Sequence, residues 1–208
     1  MTYKEFHKGL QDFKIFSTRD IEKEFSSFDT RRLVEWQQKG YIQKIINKWY
    51  FFADTPMNDW LRFRIGNCLS RPSYISMESA LSYYHLIPEG VYTTVSITTK
   101  KTITYDTSAG TFLYRSVKPD LFFGYTINNS QAFPVLLAEP EKALLDLLYL
   151  SSKIRTIGDL EGMRLNLHAL HEIISWEKLN TYAACFDSVV LTKRTRLLKK
   201  LQIHAGTF

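Results

Sequence analysis

Cysteine is scarce in this chain: there are two, Cys68 and Cys185, among 208 residues. They stand far apart and form no CxxC pair. A disulfide framework is therefore not expected, nor is a structural zinc site, which needs about four clustered ligands. Both read as partly buried free thiols in a reducing compartment. No stretch approaches the roughly 18–20 apolar residues that span a bilayer, so a membrane is not expected among the partners. The opening Met1–Lys8 carries a charge every few residues, unlike a secretory signal, and a cytoplasmic location is expected. The signatures GxxxxGK[ST], GxGxxG and GxSxG are missing, which disfavours nucleotide hydrolysis, dinucleotide chemistry and serine hydrolysis. His168, His171 and Glu172 can share a helix face, but no HExxH spacing or further ligand accompanies them. Glu139 and Glu141 flank Pro140 at a predicted helix start, where acids offset the helix dipole. His85, between Tyr84 and Leu86, reads as a packed histidine. No catalytic residue, metal site or cofactor is expected.

What is abundant is core material and unevenly placed charge. Apolar residues make up 45% and aromatics 14%, enough for a sizeable packed interior. Of the formal net charge of +6, residues 1–52 contribute ten Lys/Arg against seven Asp/Glu. Residues 53–187 are slightly acidic, and residues 188–208 carry five Lys/Arg and no acid. Basic ends suit phosphate binding through sequence-independent attraction.

The first fifty residues predict three helices and a hairpin. Tyr3, Phe6, Leu10 and Phe13 recur in steps of three and four, giving a first helix. Ser17 or Thr18 can cap a second, short helix with Ile21 and Phe25 facing inward. Ser26-Ser27 breaks it. Asp29 or Thr30 caps a third helix that ends at Gly40, with Leu33 and Trp36 as its inner face. After Gly40 the pattern changes to β-branched and aromatic runs, Tyr41–Ile46 and Trp49–Phe52, joined by Asn47-Lys48 as a tight turn.

That element order predicts a winged helix-turn-helix over residues 1–54, whose third helix enters the DNA major groove while the hairpin wing touches phosphates. The third helix presents Thr30, Arg31, Arg32, Glu35, Gln38 and Lys39. Arg can grip guanine edges with two bonds, and Gln can read adenine. Arg19 and Ser27, read as lying at helix starts, can hold phosphates with nearby backbone N–H groups. Lys44 and Lys48 on the wing add charge. The same face can instead be a solvated surface, or a winged helix that binds only protein.

Residues 55–208 predict a second domain of α+β type. Met57–Leu69 reads as a helix. Pro72–Pro88 reads as a short strand, a Ser76 cap, a helix and a Pro stop. Val95–Thr98, Ile103–Tyr105, Thr111–Tyr114 and Phe122–Tyr125 read as strands, with turns at Gly110 and Asn128-Asn129, and an antiparallel sheet is expected. Glu139–Tyr149 starts a helix with Pro near its first position, and helices follow near Trp176–Phe186 and Ser188–Leu201. The last is amphipathic and basic, with Lys193, Arg194, Arg196, Lys199 and Lys200. It is either a docked helix with a solvated basic face, or a second surface for nucleic acid or a protein partner.

Three blocks occur in an order and spacing that resemble one family: Tyr74-Ile75-Ser76 through Tyr84-His85-Leu86, the strand Thr93–Thr99, and Ala138-Glu139-Pro140-Glu141-Lys142-Ala143-Leu144-Leu145-Asp146. With the N-terminal winged helix, they resemble the AbiEi-like antitoxins of type IV abortive-infection toxin–antitoxin systems. The resemblance implies a non-enzymatic repressor that binds double-stranded DNA at repeats in its own promoter. It also implies a C-terminal domain that counters a nucleotidyltransferase-type toxin without a lasting complex. The alternative is an orphan winged-helix regulator or a protein-interaction module. Members of that family often have Gly in the wing turn, where this chain reads Asn47-Lys48-Trp49.

Overall fold

The computed structural model describes residues 1–46, 48–88, 90, 92–130 and 133–205, with side chains through Ile203. The chain is α+β. Its first part runs α1 (Tyr3–Leu10), β1 (Ile15–Ser17), α2 (Thr18–Glu24), α3 (Arg31–Gln38), β2 (Ile42–Ile46) and β3 (Trp49–Phe52). The three strands form an antiparallel sheet in the order β1-β3-β2.

Strand alternation decides what each face of this small sheet covers. Phe16, Tyr50, Phe52 and Ile42 turn toward the helices and pack with Phe6, Leu10, Ile21, Leu33 and Trp36. Phe6 is fully buried at the centre, its ring 4.6 Å from Trp36, 5.5 Å from Phe16 and 5.3 Å from Phe28. Ile15, Ile45 and Phe51 turn the other way, onto Leu61, Ile65, Cys68, Phe112 and Tyr114. One three-stranded sheet thus has two apolar faces, and the second joins residues 1–54 to the rest of the chain.

The caps follow the expected chemistry with two exceptions. Ser17 caps α2 in a reciprocal box with Asp20, as Thr2 does for α1 with Glu5. The N-cap of α3 is Thr30, but its side chain makes no capping bond; Asp29 Oδ1 accepts the Arg31 N–H instead. Gly40 ends α3 at φ +71°, where a side chain would be strained. Ser76 is likewise at the N-cap of the fifth helix without capping it. Phe13 does not continue the apolar stripe of α1: the helix stops at Leu10, residues 11–13 tighten into a 3₁₀ turn, and Phe13 is exposed. Asn47, half of the expected wing turn, lies outside the described residues; Lys48 beside it has φ +71°.

The second part contains α4 (Asp59–Leu69), β4 (Ser73–Ile75), α5 (Met77–Tyr83), β5 (Thr93–Thr98), β6 (Ile103–Thr107), β7 (Gly110–Ser116), β8 (Tyr125–Asn128) and β9 (Val135–Ala138). Helices α6 (Pro140–Leu150), α7 (Ile157–Glu161), α8 (Leu167–Ile173), α9 (Trp176–Cys185) and α10 (Val189–Ala205) follow. Helix α4 starts two residues later than the sequence suggested, at Asp59, because the Asn58 side chain caps it by accepting the Leu61 N–H. The six strands pair in the order β6-β7-β5-β4-β9-β8.

This sheet is mixed, which corrects the expected antiparallel one. The pairs β4–β5, β6–β7 and β8–β9 are antiparallel, but β5–β7 and β4–β9 are parallel. Returning β6 to the far side of β7 and inserting β4 between β5 and β9 forces those crossovers. Phe122-Phe123-Gly124 is not strand: a 3₁₀ turn at Pro119–Leu121 precedes it and β8 begins at Tyr125. Helix α4 lies across one face of the sheet, with Gly66 close to Ile75, Thr94 and Ser96 and its carbonyl accepting the Tyr114 hydroxyl at 2.6 Å. Helices α5 and α6 cover the other face, and α9 and α10 pack outside α6. The result is three layers around one large apolar core.

Candidate nucleic-acid interface

Helix α3 is anchored by Leu33 and Trp36, both 3% exposed. The anchoring fixes which residues remain outside. Arg31, Val34, Glu35 and Gln38 fall at i, i+3, i+4 and i+7, one helix face, and all four are exposed. Val34, 56% exposed, was not among the expected contacts. Its place between Arg31 and Gln38 on the helical period was the available signal, masked by its apolar type among polar candidates for base contact.

Three of the expected readers are held by local partners. Lys39 donates to Glu35 at 2.6 Å, a bond that keeps the Glu35 carboxyl below its ordinary range and raises the Lys39 ammonium. Arg31 Nε lies 3.3 Å from Asp29 Oδ1. Both pairs are solvent-exposed and therefore weak enough to be exchanged for a ligand. Arg32 is half-buried, its charge acting on both Glu5 and Glu35. Thr30 is exposed at the helix start.

The β2–β3 hairpin and the start of α2 meet. The Thr18 N–H donates to the Lys48 carbonyl at 3.0 Å, which brings the chain at Lys48 beside the first turn of α2, where Arg19 is exposed. Lys44 is also exposed, and its carbonyl accepts the Ser108 hydroxyl at 2.8 Å from the β6–β7 hairpin. The β2–β3 hairpin is thus braced on the second sheet. Ser27 does not sit at a helix start: it lies in the turn after α2, three residues before the Thr30 cap, so no helix N–H groups gather around it. That corrects its expected place at a helix start.

The basic last helix is docked. Leu191, Leu198 and Leu201 are buried in the main core, while Lys193, Arg196, Lys199 and Lys200 are exposed. Lys199 Nζ lies 5.9 Å from the centre of the Trp176 ring. Arg194 leaves this group: it is 8% exposed, and donates to the carbonyls of Ile154, Leu148 and Tyr149. A cation there closes the C-terminal end of α6, where carbonyls lack intrahelical partners. Alternation alone hides this, because position 194 follows an exposed lysine on a helix of mixed face. Arg194→Met is expected to lower stability by about 2–3 kcal/mol, since buried carbonyls lose a charged donor. Lys193→Met is expected to change it by less than about 0.5 kcal/mol. Urea midpoints of the two variants check this, and equal midpoints would refute the capping role.

The other residues weighed for chemistry are engaged structurally. Glu139 accepts from Lys178 Nζ at 2.8 Å and from the Tyr182 hydroxyl at 2.6 Å. Its partial burial raises the carboxyl pKa, but these two bonds outweigh that and hold it below the ordinary range. Glu141 accepts the Ser175 N–H at 2.9 Å. His168 faces Glu172 at 3.5 Å on the surface, and His171 meets Gln202. His85 is exposed rather than packed, at φ +57° in the turn that ends α5. Cys68 is buried and Cys185 exposed, both free. Among the described residues no group of three His, Cys, Asp or Glu is gathered as a metal site, and no helix is long and apolar enough to cross a membrane.

A buried cluster went unread in the sequence, although it joins the blocks singled out there. Lys142 and Asp146, one turn apart on α6, are both fully buried and paired. Asp146 Oδ2 accepts from the Ser76 hydroxyl at 2.8 Å and the Tyr74 hydroxyl at 3.1 Å, and Lys142 Nζ donates to Tyr74 at 2.9 Å. The Phe123 and Phe186 rings flank the ammonium at 5.1 and 5.0 Å. The Tyr84 hydroxyl donates to the Ala138 carbonyl at 2.9 Å. Gly124, at φ +69°, lets its backbone cross Lys142, because a Cβ there would stand 2.9 Å from the lysine Cγ. The cluster is sealed, so its chemistry is structural.

Compared with models of known protein families and with curated proteins, the chain matches none.

Proposed function

We propose that residues 1–54 form a winged helix-turn-helix that binds double-stranded DNA, and that the protein represses its own operon. The observation that carries this is the order helix, strand, helix, helix, strand, strand with the sheet β1-β3-β2. It leaves one face of α3 exposed beside a hairpin bearing Lys44 and Lys48. Strand β1 strengthens the reading, since it ties the wing to the start of α2. In this reading α3 lies in the major groove, with Arg31, Arg32, Val34 and Gln38 near base edges. Arg19, Lys44 and Lys48 approach phosphates.

The protein is further proposed to be the cytoplasmic antitoxin of a type IV abortive-infection system, with residues 55–208 countering a nucleotidyltransferase-type toxin and no catalysis of its own. Support for this part is the likeness of the Tyr74–Leu86, Thr93–Thr99 and Ala138–Asp146 blocks to that family. Co-expression with a nucleotidyltransferase encoded beside it tests this: restored growth is expected, and continued arrest would refute it.

A gel shift on the DNA upstream of its own gene tests the first part. Neutralising about four phosphates gives a log–log salt slope of about −3.6, so a fourfold rise in salt is expected to weaken binding about 150-fold. A second reading, a protein partner on the same face, is favoured by the exposed Val34 and the internally paired Glu35–Lys39. Absent promoter binding, together with tight binding to the neighbouring gene's product, would select it.

A further inference from the structure

A cavity of about 680 Å³ opens between the C-terminal half of α4 and the β4–β9–β8 side of the second sheet. It is lined by Arg64, Asn67, Arg71, Ser73, Ile127 and Pro134, with Pro72 and Leu136 completing the wall. Its size falls within the range of small-molecule sites. Its polar chemistry is one-sided: no carboxylate lines it, and the partners of its two arginines among the described residues are carbonyls and a thiol.

The donors are fixed, and some are unspent. Arg64 Nη1 donates to the Pro134 carbonyl at 3.2 Å, which holds the guanidinium in place, while its buried Nε has no partner among the described residues. Arg71 is oriented by bonds from Nε to the Asn67 carbonyl and from Nη2 to Cys68 Sγ, both at 3.3 Å. Asn67 contributes no free group: it exchanges both bonds with the backbone of Leu136, at 3.2 and 2.7 Å, and so stiffens the wall. Ser73 is 1% exposed, and its hydroxyl has no partner among the described residues. A buried donor left unmade is costly, which makes an unpaired hydroxyl in a lining shared with two cations a place where an acceptor gains most.

Beside the arginines the lining also carries apolar surface, with Pro134 held next to Arg64 through its carbonyl. Ile127, 63% exposed on β8, and the exposed Pro134 offer apolar surface to the cavity.

We propose that this cavity binds a small phosphomonoester with an apolar body, the phosphate held by Arg64, Arg71 and the Ser73 hydroxyl and the body lying on Ile127 and Pro134. Three donors from separate elements suit a tetrahedral oxyanion better than a planar carboxylate. The site lies apart from α3 and does not depend on DNA binding.

Calorimetric titration of the full chain with phenyl phosphate, inorganic phosphate and benzoate, at fixed ionic strength, tests it. Phenyl phosphate is expected to bind, and to bind tighter than either other probe. Arg64→Gln with Arg71→Gln is expected to weaken it by about tenfold or more. Ser73→Ala is expected to weaken it without lowering the thermal midpoint, since its hydroxyl has no bond to lose. Failure of phenyl phosphate to bind, or affinity in the double variant within about twofold of the parent, would overturn the site. Equal affinity for inorganic phosphate would overturn the apolar wall, and equal affinity for benzoate the phosphate class. A folded thermal transition in each variant keeps loss of binding distinct from loss of structure.

Discussion

Lys142→Met is expected to cost about 3–5 kcal/mol of stability, although it adds apolar surface to an apolar core. Methionine fits the stem of lysine, so little of the loss comes from packing. The loss comes from Asp146, which keeps its Ser76 and Tyr74 donors but no cation, at full burial. Desolvation already pushes the Asp146 carboxyl up and the Lys142 ammonium down, and removing the lysine takes away the charge that opposes the aspartate's rise. The sign of the pH dependence follows. An acid whose folded pKa lies above its unfolded one binds more protons when folded, so stability falls as pH rises between the two values. The penalty in Lys142→Met should therefore shrink on acidification toward the ordinary carboxylate range. Adding Asp146→Leu should recover much of the loss, because a buried pair removed whole often costs little. Denaturant midpoints of the parent, single and double variants across pH measure all three effects. A single variant as stable as the parent, or a double variant worse than the single, would sink this account.

The same cluster shows what the sequence could and could not reveal. Elements with a clean period were legible: α3 from Leu33 and Trp36, the β2–β3 hairpin from its aromatic runs, α6 from Pro140 and the leucines behind it. Each is decided within about ten residues, so local pattern suffices. Strand β1 was not seen, because Ile15-Phe16-Ser17 is too short to show alternation and is strand only by pairing with Trp49–Phe51. The parallel pairs β5–β7 and β4–β9 escaped for a like reason, since neighbours in space are set by chain crossings that leave no local mark. Charge misled once and hid a second burial. Arg194 was read with the basic face and Lys142 was not singled out, yet both are buried, one spread over three carbonyls and the other paired with Asp146. Burial of a cation depends on partners about 40 to 70 residues away, such as Ile154 for Arg194 and Tyr74 for Lys142. The face of α3 was largely legible because exposure there is the complement of a periodic anchor. Val34 belonged to that complement all along.

Arg31→Ala combined with Arg32→Ala is expected to abolish the promoter shift while leaving the fold intact. Each bidentate arginine–base contact contributes about 1–3 kcal/mol of discrimination, so losing both should weaken specific binding about 30-fold or more. The fold should tolerate it, because the Arg31 side chain is 93% exposed and its one described ion pair, to Asp29, lies in solvent. Arg32 is more embedded, beside Glu5 and Glu35, and its loss should cost at most about 1 kcal/mol, read from the thermal midpoint. The two roles proposed on this face separate by salt. Lys44→Ala, at a side chain exposed on β2, should weaken operator and non-operator DNA alike and flatten the log–log slope by about one. The arginine pair should instead erase the preference for operator over non-operator DNA. If the double variant keeps that preference, α3 is not the reading element. If it loses all binding together with its thermal transition, the comparison moves to Arg31→Ala alone, whose exposed position keeps folding out of the result. A retained preference in that single variant, at undiminished affinity, would remove Arg31 from the interface.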